Sequence, residues 1–276
     1  MSGRVLVGAV LLLVHLTPPA SLQAQLVDSP DTGALMRKAA VYVDWFVGRF
    51  SNVVSEEEYE QRFSVASRRR VLKSDFMLVG YPGNQSLVMT FRDVREVDGK
   101  AVIDQPDRIT QLFLQPFESA VRRAQEIHRA GLRLSVENGR VMDPLTVIGY
   151  LQGAYQRNFR VSRGGIAKNL GPTIREISLT PLQDRNKSVW KPARAWVAED
   201  TGAVVKTELR SGFGTRSEIT TTTFAMDPTL QMPVPVEMRD ELPRGRDDFI
   251  GVAKYTKFRR FVVRTDEAID VPGAQP

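Results

Sequence analysis

The 276-residue chain carries 38 Lys and Arg against 32 Asp and Glu, a formal net charge of +6, and no cysteine. The missing cysteines exclude a disulfide-stapled scaffold, a cysteine nucleophile and a lipid-bearing cysteine behind an export signal. With 42% hydrophobic and 25% charged residues, the composition is that of a globular protein.

The N-terminus begins with Arg4 and an apolar run over residues 5–16, interrupted by Gly8 and His15. Pro18 and Pro19 stop any helix, and Leu22, Gln23 and Ala24 end the stretch on a small residue. Basic, apolar, small is the order of a secretory leader. The run is shorter than the roughly 20 residues of a spanning helix. Residues 1–24 are therefore expected to be a leader cleaved after Ala24, followed by one domain over 25–265 and a disordered tail over 266–276. A disulfide-free exported chain points to a bacterial periplasm or exterior. No later stretch reaches spanning length, so the mature chain is expected to have no transmembrane segment. Export also argues against nucleic acid as the partner of so basic a chain. The densest basic runs are Arg68, Arg69 and Arg70, then Arg259, Arg260 and Arg264. They read as solvated charge protecting strand edges, or as attraction to an anionic envelope surface.

Taken in order, residues 35–50 come first. Leu35, Met36, Ala39, Ala40, Val43, Phe46, Val47 and Phe50 recur at steps of three and four, an amphipathic helix capped by Asp31 or Thr32. From Val53 to Val65 the period becomes two, a strand with one polar and one mixed face. A turn at 67–70, a strand over 71–81, a break at Pro82 and Gly83, and a strand over 86–97 follow. Asp98 and Gly99 form a hairpin turn. A helical middle section runs from Pro106 to Leu151. Strands then dominate: 155–161, 173–179, 193–199, the tight turn Asp200, Thr201, Gly202, then 203–210, 216–226 and 249–264. Pro233 and Pro235 mark an edge strand or a strand start. Tyr255, Phe258 and Phe261, three apart, predict a β-bulge. About nine or ten strands around a helical middle predict an α+β fold, a large curved antiparallel sheet with an N-terminal helix.

Several chemistries lack their residues. Beyond the leader His128 is the one histidine, so the usual zinc ligand sets are missing and a serine triad would have to use it. On a helical face it reads as a surface or core-edge residue. Ser188 and Lys191 match the Ser-x-x-Lys signature without its companion motifs. Glu56, Glu57 and Glu58 alternate between strand faces and read as solvated rather than as a spaced catalytic pair. Neither Gly164–Gly165 nor Gly212 and Gly214 forms a phosphate loop. No cofactor and no metal site is expected. The strand residues Phe63, Phe76, Leu78, Met89, Phe91, Phe159, Phe224 and Phe258 either build the core or line an apolar cavity on the concave side of the sheet.

Two segments carry a resemblance. Residues 199–208, with Asp200, Thr201, Gly202, Lys206 and Glu208, and residues 254–261, with Tyr255, Phe258 and Arg259, resemble strand-turn-strand and terminal-strand patterns of bacterial lipoprotein-localisation carriers. Residues 71–78 and 91–99 look like segments of uncharacterised secreted bacterial proteins. The resemblance implies an unclosed antiparallel barrel with helices over a hydrophobic cavity that takes acyl chains. The polar strand faces and the long helical middle depart from a minimal carrier, so no ligand residue is carried over. The leading expectation is a soluble periplasmic binding or carrier protein, not an enzyme, for an apolar or lipid-like ligand. The rivals are a structural or interaction module of the envelope and, third, a hydrolase.

Overall fold

The computed structural model describes residues 28–260 apart from 52, 66–67, 82–83, 103–116, 137–141, 184–188 and 213–216. The expected leader, the C-terminal tail, the Ser188 motif and the start of the helical middle lie outside the described residues.

Helix α1 (Pro30–Phe50) opens the fold. Its cap is Ser29, whose side chain accepts from the Thr32 backbone N–H, with Pro30 in the first turn. The expected cap at Asp31 or Thr32 is thus corrected to Ser29, two or three residues earlier: proline is tolerated at the first helical residue, where no intrahelical donor is needed. The apolar stripe at steps of three and four is buried from Leu35 to Phe50 except at Ala40, which is half-buried.

Eleven strands form one antiparallel sheet: β1 (Val53–Phe63), β2 (Arg69–Tyr81), β3 (Asn84–Val97), β4 (Lys100–Ala101), β5 (Phe159–Ile166), β6 (Ile174–Pro181), β7 (Ala193–Ala198), β8 (Val204–Ser211), β9 (Glu218–Asp227), β10 (Met232–Leu242) and β11 (Phe249–Arg260). The order is β4-β3-β2-β1-β11-β10-β9-β8-β7-β6-β5, so the first and last strands meet in the middle. The expected curved, unclosed sheet is present. Helices α2 (Phe117–Leu132), α3 (Thr146–Tyr150) and α4 (Gly153–Gln156) connect β4 to β5. No described helix is long and apolar enough to cross a membrane.

Four local features bear on the expectations. Asp98 and Gly99 both adopt positive φ, 51° and 77°, as a two-residue hairpin demands. Lys257 has φ 51° and the β1–β11 register slips between Val54 and Glu56, which is the bulge expected from the aromatic spacing. Strand β10 lies between β9 and β11, but its pairing with β11 begins at Glu237, so Pro233 and Pro235 mark the strand start, paired with β9 alone beside a bulge. Strand β2 is also internal, so its arginines guard no edge. Arg69 instead forms a bidentate contact with Glu60 on β1.

One inward face of the sheet carries the core. On β1 it is Val53, Ser55, Glu57, Tyr59, Gln61 and Phe63, all buried. Helix α1 shares one apolar cluster with this face and with residues on β5 to β9. At Gly251 a Cβ would lie 2.5 Å from Tyr59 Oη, so the missing side chain lets the ring lie across the sheet. The start of α1 is tied down electrostatically. Arg163 pairs with Glu199 and Asp31, and Arg175 Nε donates to Glu199 Oε1 at 2.9 Å.

The turn before β8 meets α1 backbone to backbone. Gly202 has φ 77°, and a Cβ there would overlap the Lys38 carbonyl. Gly202→Ala is expected to lower stability by about 2 kcal/mol or more, read from urea denaturation. Hydrogen bonds from Arg175 and then Arg163 hold the Glu199 carboxyl below its ordinary range. That stabilisation is present above the ordinary carboxylate pKa and is lost as pH falls through the depressed value. Acid unfolding of Glu199→Gln should therefore begin from a lower baseline and show a shallower pH dependence.

Candidate functional site

The hollow of the sheet is not completely filled. A cleft of about 310 Å³ opens between α1, strands β2 and β3, and the α3–α4 segment. From α1 come Phe46 and Val47, and from the sheet Leu78 and Thr90. Leu145, Ile148, Gly149 and Tyr150 close the opposite side, and Tyr155 and Trp190 stand at the end. The aromatic end is built as one unit. Trp190 lies 5.3 Å from Tyr150, 5.4 Å from Tyr155 and 5.6 Å from Phe159, centroid to centroid. Such tilted and edge contacts hold large rings in place.

One corner is polar. Thr90 Oγ1 donates to Asp143 Oδ2 at 2.5 Å, and Asp143 Oδ1 accepts from the Leu145 N–H at 2.8 Å. Two residues from Thr90 along β3, on the same strand face, Arg92 is buried. Its Nε donates to Glu57 Oε2 at 2.5 Å and its Nη2 to the Met142 carbonyl at 2.7 Å. Its guanidinium also sits 5.2 Å from the Phe76 ring centroid. The Glu57 carboxylate keeps Arg92 charged despite burial. Tyr255 is held protonated, by burial first and then by Glu57. His128 Nδ1 accepts the Arg92 backbone N–H at 3.4 Å. Burial, then the Arg92 charge, lowers the His128 pKa and keeps the ring neutral. This buried network pins the segment ahead of α3 to the sheet and so sets one wall of the cleft.

The expected cavity residues distribute unevenly. Leu78 lines the cleft. Phe159 backs its aromatic end, and Phe224 meets Phe46 edge-on at 6.2 Å. Phe258 packs on Phe50 at 6.4 Å, and Phe76 on Tyr255 at 5.2 Å. Phe63 pairs with Phe249 at the other end of β1, under Arg68. Phe91 is paired with Met77 and alternates with Thr90 and Arg92, which puts it on the opposite face of β3. Met89 pairs with Val79 in the backbone register, and its side chain lies outside the described residues. Glu57 corrects the reading of 56–58 as a solvated face: it is 2% exposed and bonded to Arg92. Tyr155 corrects the expected strand over 155–161: it lies on α4 and the strand begins at Phe159, while Tyr150, Trp190 and Asp143 sit on a short helix or loops where strand periodicity carries no signal. Among the described residues no cluster of His, Asp or Glu could hold a metal ion.

No protein-family model matches the sequence, and no curated protein matches it. Solved structures do. The chain is similar to a DUF1329 family protein from Desulfovibrio piger, at 14% identity and a TM-score of 0.43, over 86% of this chain and 96% of that one. It is also similar to a LolA superfamily protein from Nitrosomonas europaea, at 12% identity and a TM-score of 0.39, over 84% and 94% of the two chains. A domain from Vibrio parahaemolyticus, proposed to be an outer membrane lipoprotein-sorting protein, follows at 10% identity and a TM-score of 0.38, over 83% and 95%. These are likenesses of architecture.

Removing one partner of a buried ion pair strands the other charge, at a cost of about 3–5 kcal/mol. Arg92→Met should show a loss of that size in chemical denaturation. Combining it with Glu57→Gln should recover a substantial part, and a double-mutant cycle measures the coupling.

Proposed function

We propose that the protein binds an apolar or lipid-like ligand in the cleft between α1 and the α3–α4 segment, acting as a carrier outside the cytoplasm. The observation that supports the reading is the cleft itself, with walls from Phe46, Val47, Leu78, Ile148 and Trp190. Its volume, about 310 Å³, stands at the lower end of the range for small-molecule sites. The apolar walls favour a hydrocarbon portion, and the Thr90–Asp143 corner gives one place for a polar group. Export through a leader ending at Ala24 belongs to the same reading. The names of the similar structures agree with it, but the weight rests on the cleft. A filled interaction module is the weaker alternative, because such a module would leave no open apolar hollow.

Gly149 gives a direct test. It lines the cleft, and a Cβ there meets nothing within 4 Å. Gly149→Leu fills the hollow and replaces glycine within a helix, which favours stability by up to about 1 kcal/mol. Delipidated wild-type protein should enhance the emission of a fluorescent fatty acid. Gly149→Leu should lose that response with its melting temperature unchanged or raised. A wild-type sample that takes up no probe, and carries no lipid in native mass spectrometry, overturns the reading.

A further inference from the structure

The outer face of α1 does not look like an ordinary solvated helix face. Arg37, Val41, Trp45 and Arg49 follow one another at four-residue steps, so they stand in one row along the helix. Val41 is 71% exposed and Trp45 39%. Trp45 is held out by the protein rather than left loose. Its ring lies 5.6 Å from that of buried Tyr42, and the Arg49 guanidinium sits 5.8 Å from its centroid. Lys38 flanks the row, its ammonium donating to the Glu199 carbonyl at 2.8 Å. At the C-terminal end Arg260 donates to the Arg49 carbonyl at 3.2 Å, which adds another exposed cation. Beside Val41 a shallow depression of about 410 Å³ is lined by Ala34, Arg37, Lys38, Val41 and Thr201. The acids near this face are Asp31, which pairs with Arg163 at 3.6 Å, Glu199, held by Arg163 and Arg175, Asp44, and exposed Asp200 beside Thr201. With Asp31 and Glu199 engaged by Arg163 and Arg175, the cations Arg37, Lys38, Arg49 and Arg260 outnumber Asp44 and Asp200 around an apolar and aromatic centre, on a chain of net charge +6.

We propose that this face of α1 rests on the surface of an anionic bilayer. Val41 and Trp45 enter the interface, and Arg37, Lys38, Arg49 and Arg260 meet lipid phosphates. Arginine and lysine stems lie along apolar surface while their charges stay at headgroup level, and tryptophan prefers the same depth. The apolar row is short, two residues between basic ends, so binding needs the anionic charge as well as the apolar contact. The inward face of the same helix lines the cleft. Membrane contact therefore uses residues that the ligand reading does not.

The test is flotation of the full protein with vesicles of phosphatidylcholine alone or mixed with phosphatidylglycerol. The protein should float with the anionic vesicles only, and high salt should release it. Val41→Ser with Trp45→Ser should reduce partitioning about tenfold or more, and Arg37→Glu with Arg49→Glu by a similar factor. The Trp45 contribution to emission, taken as wild type minus Trp45→Phe, should shift to shorter wavelength on anionic vesicles; this holds even if a double variant fails to fold. Gly149→Leu should float like wild type, so failure of the ligand reading leaves this result distinct. Equal binding to both vesicle types, no binding, or no blue shift overturns the proposal. So does a wild-type dimer that Trp45→Ser dissociates without any vesicle binding, which would make the face a contact between two copies.

Discussion

A sheet of eleven antiparallel strands cannot stay flat. Strand twist curls it, and the curl makes a hollow whose apolar face must be covered. Helix α1 is the cover. Its Leu35-to-Phe50 stripe shares one core with residues from nearly every strand. The sheet is closed in sequence rather than in space: β1 pairs with β11, so the N-terminal hairpins and the C-terminal meander join at the centre. One helix laid in a hollow of this width leaves room at one side, and that room is the cleft.

The hollow is not uniformly apolar. Arg92 and Glu57 bring opposite charges into the interior, where each is tolerable only because of the other. Arg92 reaches Glu57 Oε2, the Met142 carbonyl and, through its backbone, His128, while Glu57 Oε1 is buried without a hydrogen-bond partner among the described residues. The network joins β1, β3 and the segment ahead of α3. It fixes where Asp143 and Leu145 stand, and hence the shape of the cleft wall. A buried ion pair is a weak source of net stability, but it specifies one arrangement of the elements it connects.

Helix α1 therefore has two unlike surfaces with separate consequences. Inward, Phe46 and Val47 complete the cleft. Outward, Val41 and Trp45 stand exposed between basic residues. Packing at Gly202, where the turn touches the Lys38 backbone, sets the helix against the C-terminal half of the sheet. The same Asp200–Gly202 turn carries part of the resemblance seen in the sequence. The physical reason for that pattern here is close backbone approach combined with a left-handed φ.

Local order was legible in the sequence. The three-and-four spacing of α1, the alternation on β1, the Asp98–Gly99 hairpin and the bulge near Phe258 all follow from residue types and their near neighbours. So does the absence of thiol chemistry. The cleft was only partly legible: Leu78 was among the expected residues, but Tyr150 and Trp190 sit on a short helix and a loop with no period to reveal them, and the alternation from Tyr155 pointed to a strand where the chain forms α4. Glu57 is the clearest case of what lay beyond reach. In sequence it is the middle of three glutamates on a strand and reads as solvated. Its burial depends on Arg92, 35 positions away on another strand, and on which face of the sheet curls inward. Sequence by itself determined the elements, because those depend on neighbouring residues. Tertiary structure alone decided which charges are buried together and where the hollow stays open, because both depend on contacts between residues far apart in the chain.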